Sequence, residues 1–146
     1  MQSATFNLRI TGVNPTWDAY LTHGVTSWNG TCSSTMCVTI SFNSSSPRTM
    51  TAGNYSETWW GEYQPGGWPW DRTFAIRANA TSLSASTLST MDNRSKMTAA
   101  HELGHALSLA DNPSTTSASI MKYPSTSAGV LTVPTTFDKT NVKNKY

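Results

Sequence analysis

Four stretches of the chain carry the alternating or β-branched pattern that is typical of strands with one buried face. Residues 4–13 alternate loosely, and residues 37–42 are rich in strand-forming side chains. Residues 72–80 show the clearest alternation, with aromatic and aliphatic side chains on one face. Residues 58–63 predict an edge strand, which the proline and glycines immediately after it should stop at once.

Apolar residues at helical spacing predict two longer helices. The first begins at Asn14-Pro15 and ends near Asn29, just before a glycine. The second covers residues 95–107 and follows a polar run, residues 81–90, that predicts a loop. This order of strands and helices predicts an α+β fold, in which helices back a twisted sheet.

The helix termini carry polar residues with specific predicted roles. Asp92 or Asn93 is expected to cap the second long helix. A short C-terminal helix is expected to open at Thr135 and to end near Tyr146. Asp138 lies near the start of that helix, where a negative charge interacts favourably with the helix dipole. We therefore expect the dipole to account for this aspartate.

The composition excludes several classes of protein. A chain of 146 residues suits one core, so residues 1–146 are expected to form a single domain. The formal charge of +2 is spread out, without the basic stripe that binds nucleic acid or acidic lipid. No apolar run approaches the roughly 18 residues that a membrane span needs. We expect a monomer with neither a nucleic-acid partner nor a membrane anchor.

Two cysteines, Cys32 and Cys37, enclose a short segment of turn-forming residues. A disulfide between them would stabilise the fold by roughly 2 kcal/mol, and free thiols are the alternative. A disulfide would suit an extracellular compartment, so we expect a secreted protein. The chain is expected to be a mature fragment in which Met1 is an added initiator and any export signal has been removed.

Two histidines, His101 and His105, are four positions apart in the second long helix. Residues at this spacing share one helix face, so both imidazoles can bind one metal ion. Glu102 lies about 100° round the helix, where it can hold an attacking water and accept its proton. The alternative is an amphipathic helix with two surface histidines. The remaining histidine, His23, is expected to be solvated rather than a ligand.

A catalytic zinc site uses three protein ligands and keeps one position open. No histidine follows His105, and Glu102 is the last glutamate in the chain. The carboxylates that follow are Asp111 and Asp138. Asp111 comes six positions after His105, which is far enough for the chain to leave the helix and return to the metal. The sequence therefore predicts a Zn²⁺ site formed by His101, His105 and Asp111.

The run His101-Glu102-x-x-His105-x-x-Ser108-x-x-Asp111 resembles the extended zinc motif of the metzincin metalloproteases. Aspartate as the third ligand is similar to the snapalysin-type small secreted proteases, and the rest of the C-terminal half resembles bacterial matrixin-like proteins. The resemblance implies a twisted, mixed sheet of four to five strands with a backing helix, an active-site helix and a C-terminal helix.

A second mark of the same resemblance is Ser119-Ile120-Met121-Lys122-Tyr123, which looks like the Met-turn of that clan. It implies that Met121 forms an apolar surface beneath the metal ligands. It also implies that Tyr123 swings toward the metal and stabilises the oxyanion. A plain core methionine and a packed tyrosine ring are the alternatives.

Position 108 departs from the family pattern, which has glycine where the helix ends and the backbone turns sharply. A serine in a left-handed conformation costs about 1 kcal/mol. Either Ser108 accepts that strain or the turn is built differently. A different turn would put the direction of Asp111 in doubt.

These residues predict a zinc endopeptidase that acts on a protein or peptide substrate, with Glu102 as general base and Tyr123 as a further catalytic residue. One alternative is a catalytically silent module that holds a peptide in its cleft. Another is a zinc amidase acting on cell-wall peptides. Residues 125–134 are expected to form the far wall of a specificity pocket, with Val130, Leu131 and Val133 as its candidate lining.

Four tryptophans stand close together, at positions 59, 60, 68 and 70. The resemblance implies that the edge strand borders the cleft and pairs with the substrate backbone. Either one or two of these indoles line that cleft, or they cover a loop rich in glycine and proline that has little other apolar cover.

Overall fold

The computed structural model describes residues 3–146, so the expectation about Met1 lies outside the described residues. Within that range, one five-stranded sheet contains β1 (Thr5–Ile10), β2 (Thr39–Phe42), β3 (Thr49–Gly53), β4 (Gly61–Trp68) and β5 (Asp71–Asn79). The strand order is β2-β1-β3-β5-β4. The neighbouring pairs among β2, β1, β3 and β5 are parallel, and β4 runs antiparallel to β5 at one edge of the sheet. This is a mixed sheet of five strands, as the resemblance to the zinc motif implies.

Four helices accompany the sheet in the described part of the chain: α1 (Pro15–Trp28), α2 (Ala80–Ala85), α3 (Met91–Ala106) and α4 (Thr136–Lys143). Helix α1 starts at Pro15 as predicted, and Asn14 caps it, because the Asn14 side chain accepts a hydrogen bond from the Trp17 N–H at 2.9 Å. Helix α1 packs against α3, and the Trp28 indole donates to the Ala100 carbonyl at 2.8 Å. The α+β fold is confirmed.

The hydrophobic core lies where the two long helices and the sheet meet. Its packing holds α3 in position against the strands. Its fully buried side chains come from all three layers: Leu8, Met50 and Ile76 from the sheet, Leu21, Val25 and Trp28 from α1, and Ala99, Ala100 and Leu103 from α3. The alanines of α3 allow a close approach to α1. His101 and His105 lie on the same helix but are only partly buried.

Strand β4 differs from its prediction. It is an edge strand, as expected, but it runs through Pro65 and the glycines after it instead of stopping before them. In the register with β5, Pro65 lies opposite Phe74. An edge strand tolerates a proline because only one of its sides needs backbone donors.

Two elements were not predicted at all. Strand β3 buries only Met50, so it shows little of the alternation that marks a strand. Helix α2 is short and polar, and it buries only Leu83. The N-cap of α3 was also predicted wrongly, because Thr90 accepts the N–H of Asn93 at 3.1 Å. Asp92 instead lies in the first turn and pairs with a lysine one turn on.

A disulfide joins Cys32 and Cys37, as predicted. It closes the loop between α1 and β2 and lowers the conformational entropy of the unfolded chain there. No helix within residues 3–146 is both long and apolar enough to cross a membrane.

Candidate metal centre

The end of α3 and the loop after it bring the three predicted ligands together. The rings of His101 and His105 lie edge to face, with centroids 4.9 Å apart. Asp111 Oδ1 lies 3.0 Å from His101 Nε2 and 3.4 Å from His105 Nε2. One ligand atom from each of the three residues falls within 4.8 Å of the others.

The turn that returns Asp111 to the histidines is a Schellman motif with Ser108 in the left-handed position. Ser108 has φ of +68°. Its N–H donates to the His105 carbonyl at 2.9 Å, and the Leu109 N–H donates to the Gly104 carbonyl at 2.9 Å. The sequence left open whether Ser108 would be left-handed or the turn would differ. Ser108 adopts the strained left-handed conformation. The turn keeps the geometry that a glycine would have.

We expect Ser108→Gly to raise the free energy of unfolding by up to about 1 kcal/mol, because it removes the left-handed strain. Thermal or urea unfolding of the zinc-free protein measures the change. Ser86→Gly is the matched control, since Ser86 has φ of −77° and a glycine there should only destabilise. Equal losses of stability in both variants would contradict the strain assigned to Ser108.

Backbone carbonyls fix the orientation of both imidazoles. His101 Nδ1 donates to the Ile120 carbonyl at 2.8 Å, and His105 Nδ1 donates to the Leu109 carbonyl at 2.9 Å. A carbonyl oxygen can only accept, so the Nδ1 of each ring carries a proton. In a neutral ring the Nε2 lone pair is then free and faces Asp111, which is the arrangement of a histidine ligand.

The donor set fits a divalent cation. When the histidines are neutral, two Nε2 lone pairs and a carboxylate oxygen converge with no proton among them, which a cation would satisfy. Two imidazoles and one carboxylate are a ligand set that zinc accepts. His101, His105 and Asp111 could therefore hold a metal ion.

The protein environment shifts the pKa of each ligand. Burial alone would lower the pKa of His101, but the hydrogen bond to Asp111 and the charge of Glu102 outweigh it and raise that pKa. Burial is the main cause that lowers the pKa of His105. The hydrogen bond with His101 holds the pKa of Asp111 down, at about 2. Asp111 is thus ionised at neutral pH, as a metal ligand must be.

Glu102 lies beside this cluster, with Oε2 4.0 Å from His105 Nε2 and a side chain that is only 8% exposed. Burial raises the pKa of Glu102 to about 7. The edge strand leaves space for it, because a methyl group at Gly61 would lie 2.8 Å from Glu102 Oε1 and 2.5 Å from Thr98 Cγ2. No local sequence pattern predicts this contact, since it joins residues that are distant in the chain.

Tyr123 lies at the same cluster, on its solvent side. Its hydroxyl donates to Asp111 Oδ2 at 3.0 Å, and the residue is 60% exposed. The two oxygens of Asp111 thus have different roles: Oδ1 faces the histidines and Oδ2 holds the tyrosine. The ring is not packed in the core, contrary to the plain alternative for Tyr123.

Met121 lies buried against the underside of α3. A methyl group at Gly104 would lie only 2.5 Å from Met121 Sδ, so this glycine sets how closely the loop approaches the helix. Gly104 immediately precedes His105. The contact therefore holds the loop of residues 119–121 directly against the helical turn that carries the ligands.

A cavity of about 460 Å³ opens beside His101 and Glu102. Its lining is mainly apolar and comes from three places: Trp59 and Trp60 before β4, Leu88 and Met97 around the start of α3, and Pro124 after the loop. Two of the four tryptophans therefore line the cleft. Trp68 and Trp70 instead stack on each other, and they are 67% and 80% exposed.

The predicted wall of residues 125–134 has a smaller part in this region than expected. Leu131 lines a neighbouring cavity of about 220 Å³ together with Met97 and Lys122. Val130 is partly buried against the core, and Val133 is 48% exposed. None of these three residues is among those that line the larger cavity beside Glu102.

Two further expectations need correction. His23 is partly buried rather than solvated, and its Nε2 lies 2.7 Å from the Thr132 carbonyl, away from the metal cluster. Asp138 caps α4 as part of a capping box with Thr135. It is also fully buried and binds the loop before Met121, so the helix dipole does not account for it alone.

Comparison with known proteins addresses the fold rather than the chemistry. No family model matches the sequence, and no curated protein matches it. Among solved structures, one titled "Structure of myroilysin" superposes with a TM-score of 0.60 at 15% sequence identity, covering 97% of this chain and 92% of that one. At this identity the likeness establishes the fold alone. The chain therefore shares the α+β fold of that structure, with its mixed five-stranded sheet.

Proposed function

We propose that the protein is a zinc endopeptidase that is secreted, monomeric and active on protein or peptide substrates. The observation that carries this proposal is the convergence of His101, His105 and Asp111 with Glu102 alongside, in a cleft bordered by an edge strand. The metzincin-like fold is consistent with this function. We also propose that Asp111 is the third zinc ligand, as the resemblance to snapalysin-type proteases implies. The Cys32–Cys37 disulfide is compatible with secretion.

The residues of the site have two different roles, metal binding and proton transfer. His101, His105 and Asp111 would hold Zn²⁺, which when bound polarises a scissile carbonyl and makes water a better nucleophile at neutral pH. Glu102 accepts the proton of the attacking water and returns it to the leaving amine. In the metal-free chain burial raises the pKa of Glu102 to about 7, which shows an environment that makes this carboxylate a stronger base than an exposed one.

Tyr123 is proposed to stabilise the oxyanion that forms on the scissile carbonyl. To do so its hydroxyl must leave Asp111 Oδ2, to which it donates in this structure. The exposed ring has room to turn, since most of its surface is in solvent. We assign Tyr123 to transition-state stabilisation and Glu102 to proton transfer.

The apolar cavity beside Glu102 is proposed to select a large apolar side chain next to the scissile bond. Burying a leucine or phenylalanine there instead of an alanine should favour cleavage by about tenfold or more in kcat/KM. Sequencing the cleavage sites in a denatured protein mixture measures this preference. Leu88→Trp should narrow the cavity and shift the preference toward alanine or valine, whereas Val133→Trp, at an exposed position, should not. If Leu88→Trp left the side-chain preference at the cleavage sites unchanged, as Val133→Trp should, the cavity would not determine the specificity.

The reaction itself is tested with the zinc-loaded chain and casein, followed by mass spectrometry of the products. We expect internal peptide bonds to be cut, activity to stop on chelation and to return with added zinc. Zinc binding without cleavage of any protein would favour the silent peptide-binding module. Release of amide-linked peptides from cell-wall fragments alone would favour the zinc amidase. A binding module has no need of a buried glutamate beside the metal ligands, which is why we favour the enzyme.

A further inference from the structure

A continuous set of hydrogen bonds joins the buried Asp138 to the ring of His101. The Ser119 hydroxyl donates to Asp138 Oδ1, and Ser119 Oγ accepts the N–H of Met121 at 3.1 Å. That N–H and the Ile120 carbonyl belong to the same peptide unit. The carbonyl accepts the proton of His101 Nδ1 at 2.8 Å. We call this set, from Asp138 through Ser119 and the Ile120–Met121 peptide to His101, the relay.

The other carboxylate oxygen anchors the loop independently of the relay. Asp138 Oδ2 accepts the Ile120 N–H at 2.9 Å, the Thr135 N–H at 2.8 Å and the Thr135 hydroxyl at 2.9 Å. Asp138 has no accessible surface. Among the ion pairs of residues 3–146, none includes Asp138. Burying a carboxylate without a cation costs more desolvation free energy than an exposed helix cap would. Capping α4 therefore does not account for the burial of Asp138.

We propose that Asp138 and Ser119 are positioning residues for the metal ligand His101. Hydrogen bonds in series polarise one another, so a carboxylate at one end makes the Ile120 carbonyl a stronger acceptor at the other. A stronger bond at Nδ1 fixes the ring plane and makes Nε2 a better electron donor to a metal. The relay thus places a peptide unit and a hydroxyl where many zinc sites have a direct carboxylate–histidine contact. This inference rests on the proposed role of His101 as a ligand.

The two histidines differ in this respect. His105 Nδ1 also donates to a carbonyl, but that carbonyl belongs to Leu109, in the turn directly after α3. It lies outside the relay. The buried carboxylate of α4 therefore acts on one ligand of the pair, and it joins the C-terminal helix to the metal centre.

Ser119→Ala tests the relay, because it removes the middle hydroxyl and leaves all three bonds to Asp138 Oδ2 in place. We expect the dissociation constant for Zn²⁺ to rise about 3- to 10-fold, at the lower end of the effect of losing an outer partner of a ligand. Val142→Ala is the control, since Val142 is fully buried in α4 outside the relay. It should lower stability but leave the zinc affinity unchanged. Ser119→Thr keeps the hydroxyl and should restore most of the affinity.

A second readout does not depend on the metal. In the zinc-free chain labelled with ¹⁵N, the Nδ1 proton of His101 should resonate downfield, and Ser119→Ala should move it upfield and speed its exchange. If the wild type binds zinc but Ser119→Ala binds it equally well, or no worse than Val142→Ala does, the inference is overturned. If the wild type binds no zinc, the proposed function fails, and the His101 resonance still decides: an unchanged resonance in Ser119→Ala overturns the relay.

Discussion

Glu102→Gln is expected to lower kcat/KM by about 10²- to 10⁴-fold, the range over which general acid–base catalysis contributes. Glutamine fills the same space and can still hold a water molecule, but it cannot accept the proton. Because Glu102 is not one of the three ligands, zinc should stay bound with unchanged stoichiometry. Steady-state cleavage of casein, with the metal content of the same preparation measured alongside, gives both quantities.

Glu57→Gln is the matched control for this variant. Glu57 is exposed and lies outside the cleft, so the same chemical change there should leave the activity unchanged. Neutralising Glu102 removes a mostly buried charge, so this variant should fold at least as well as the wild type. Activity within tenfold of the wild type in Glu102→Gln would show that another group accepts the proton.

Asp111→Asn is expected to weaken zinc binding by more than the roughly 10- to 100-fold that loss of an outer partner costs, because it removes a charged ligand itself. The asparagine keeps the size of the side chain and can still accept from Tyr123. Two histidines and a neutral amide would remain around the cation. Competition with a metallochromic chelator measures the affinity, and Asp18→Asn, an exposed change in the first turn of α1, is the control.

Wild-type affinity in Asp111→Asn would mean that the metal is held by the histidines and another group. In the zinc-free protein the same variant should also remove the charge that supports the raised pKa of His101. The two variants thus separate the roles: Glu102→Gln keeps the metal and loses turnover, whereas Asp111→Asn loses the metal first.

The sequence predicts the convergence of His101, His105 and Asp111 because most of the signal for it is local. The spacing of His101 and His105 fixes a common helix face, and Asp111 follows closely enough for the chain to turn and return to it. The α+β class followed for a similar reason, since the patterns of β1, β5 and α1 are set by residues next to one another. Helical and strand periods need no knowledge of partners.

What the sequence did not give depends on contacts between distant segments. Strand β4 extends through Pro65 because β5 pairs with it, and this pairing is invisible to local propensity. Gly61 and Glu102 meet across the cleft although they are far apart in the chain. The start of the C-terminal helix at Thr135 was predicted correctly. An aspartate in the first turn of a helix is equally favourable in solvent, so the burial of Asp138 against Ser119 could not be predicted from the sequence.

Native mass spectrometry of the purified chain, titrated with Zn²⁺, decides whether His101, His105 and Asp111 hold a metal ion. We expect one zinc ion per chain, displaced by chelation, with casein cleavage that rises and falls with occupancy. His105→Ala should abolish both the bound ion and the cleavage. A chain that cleaves casein without a metal ion, or that binds no zinc with His101, His105 and Asp111 intact, would contradict the account.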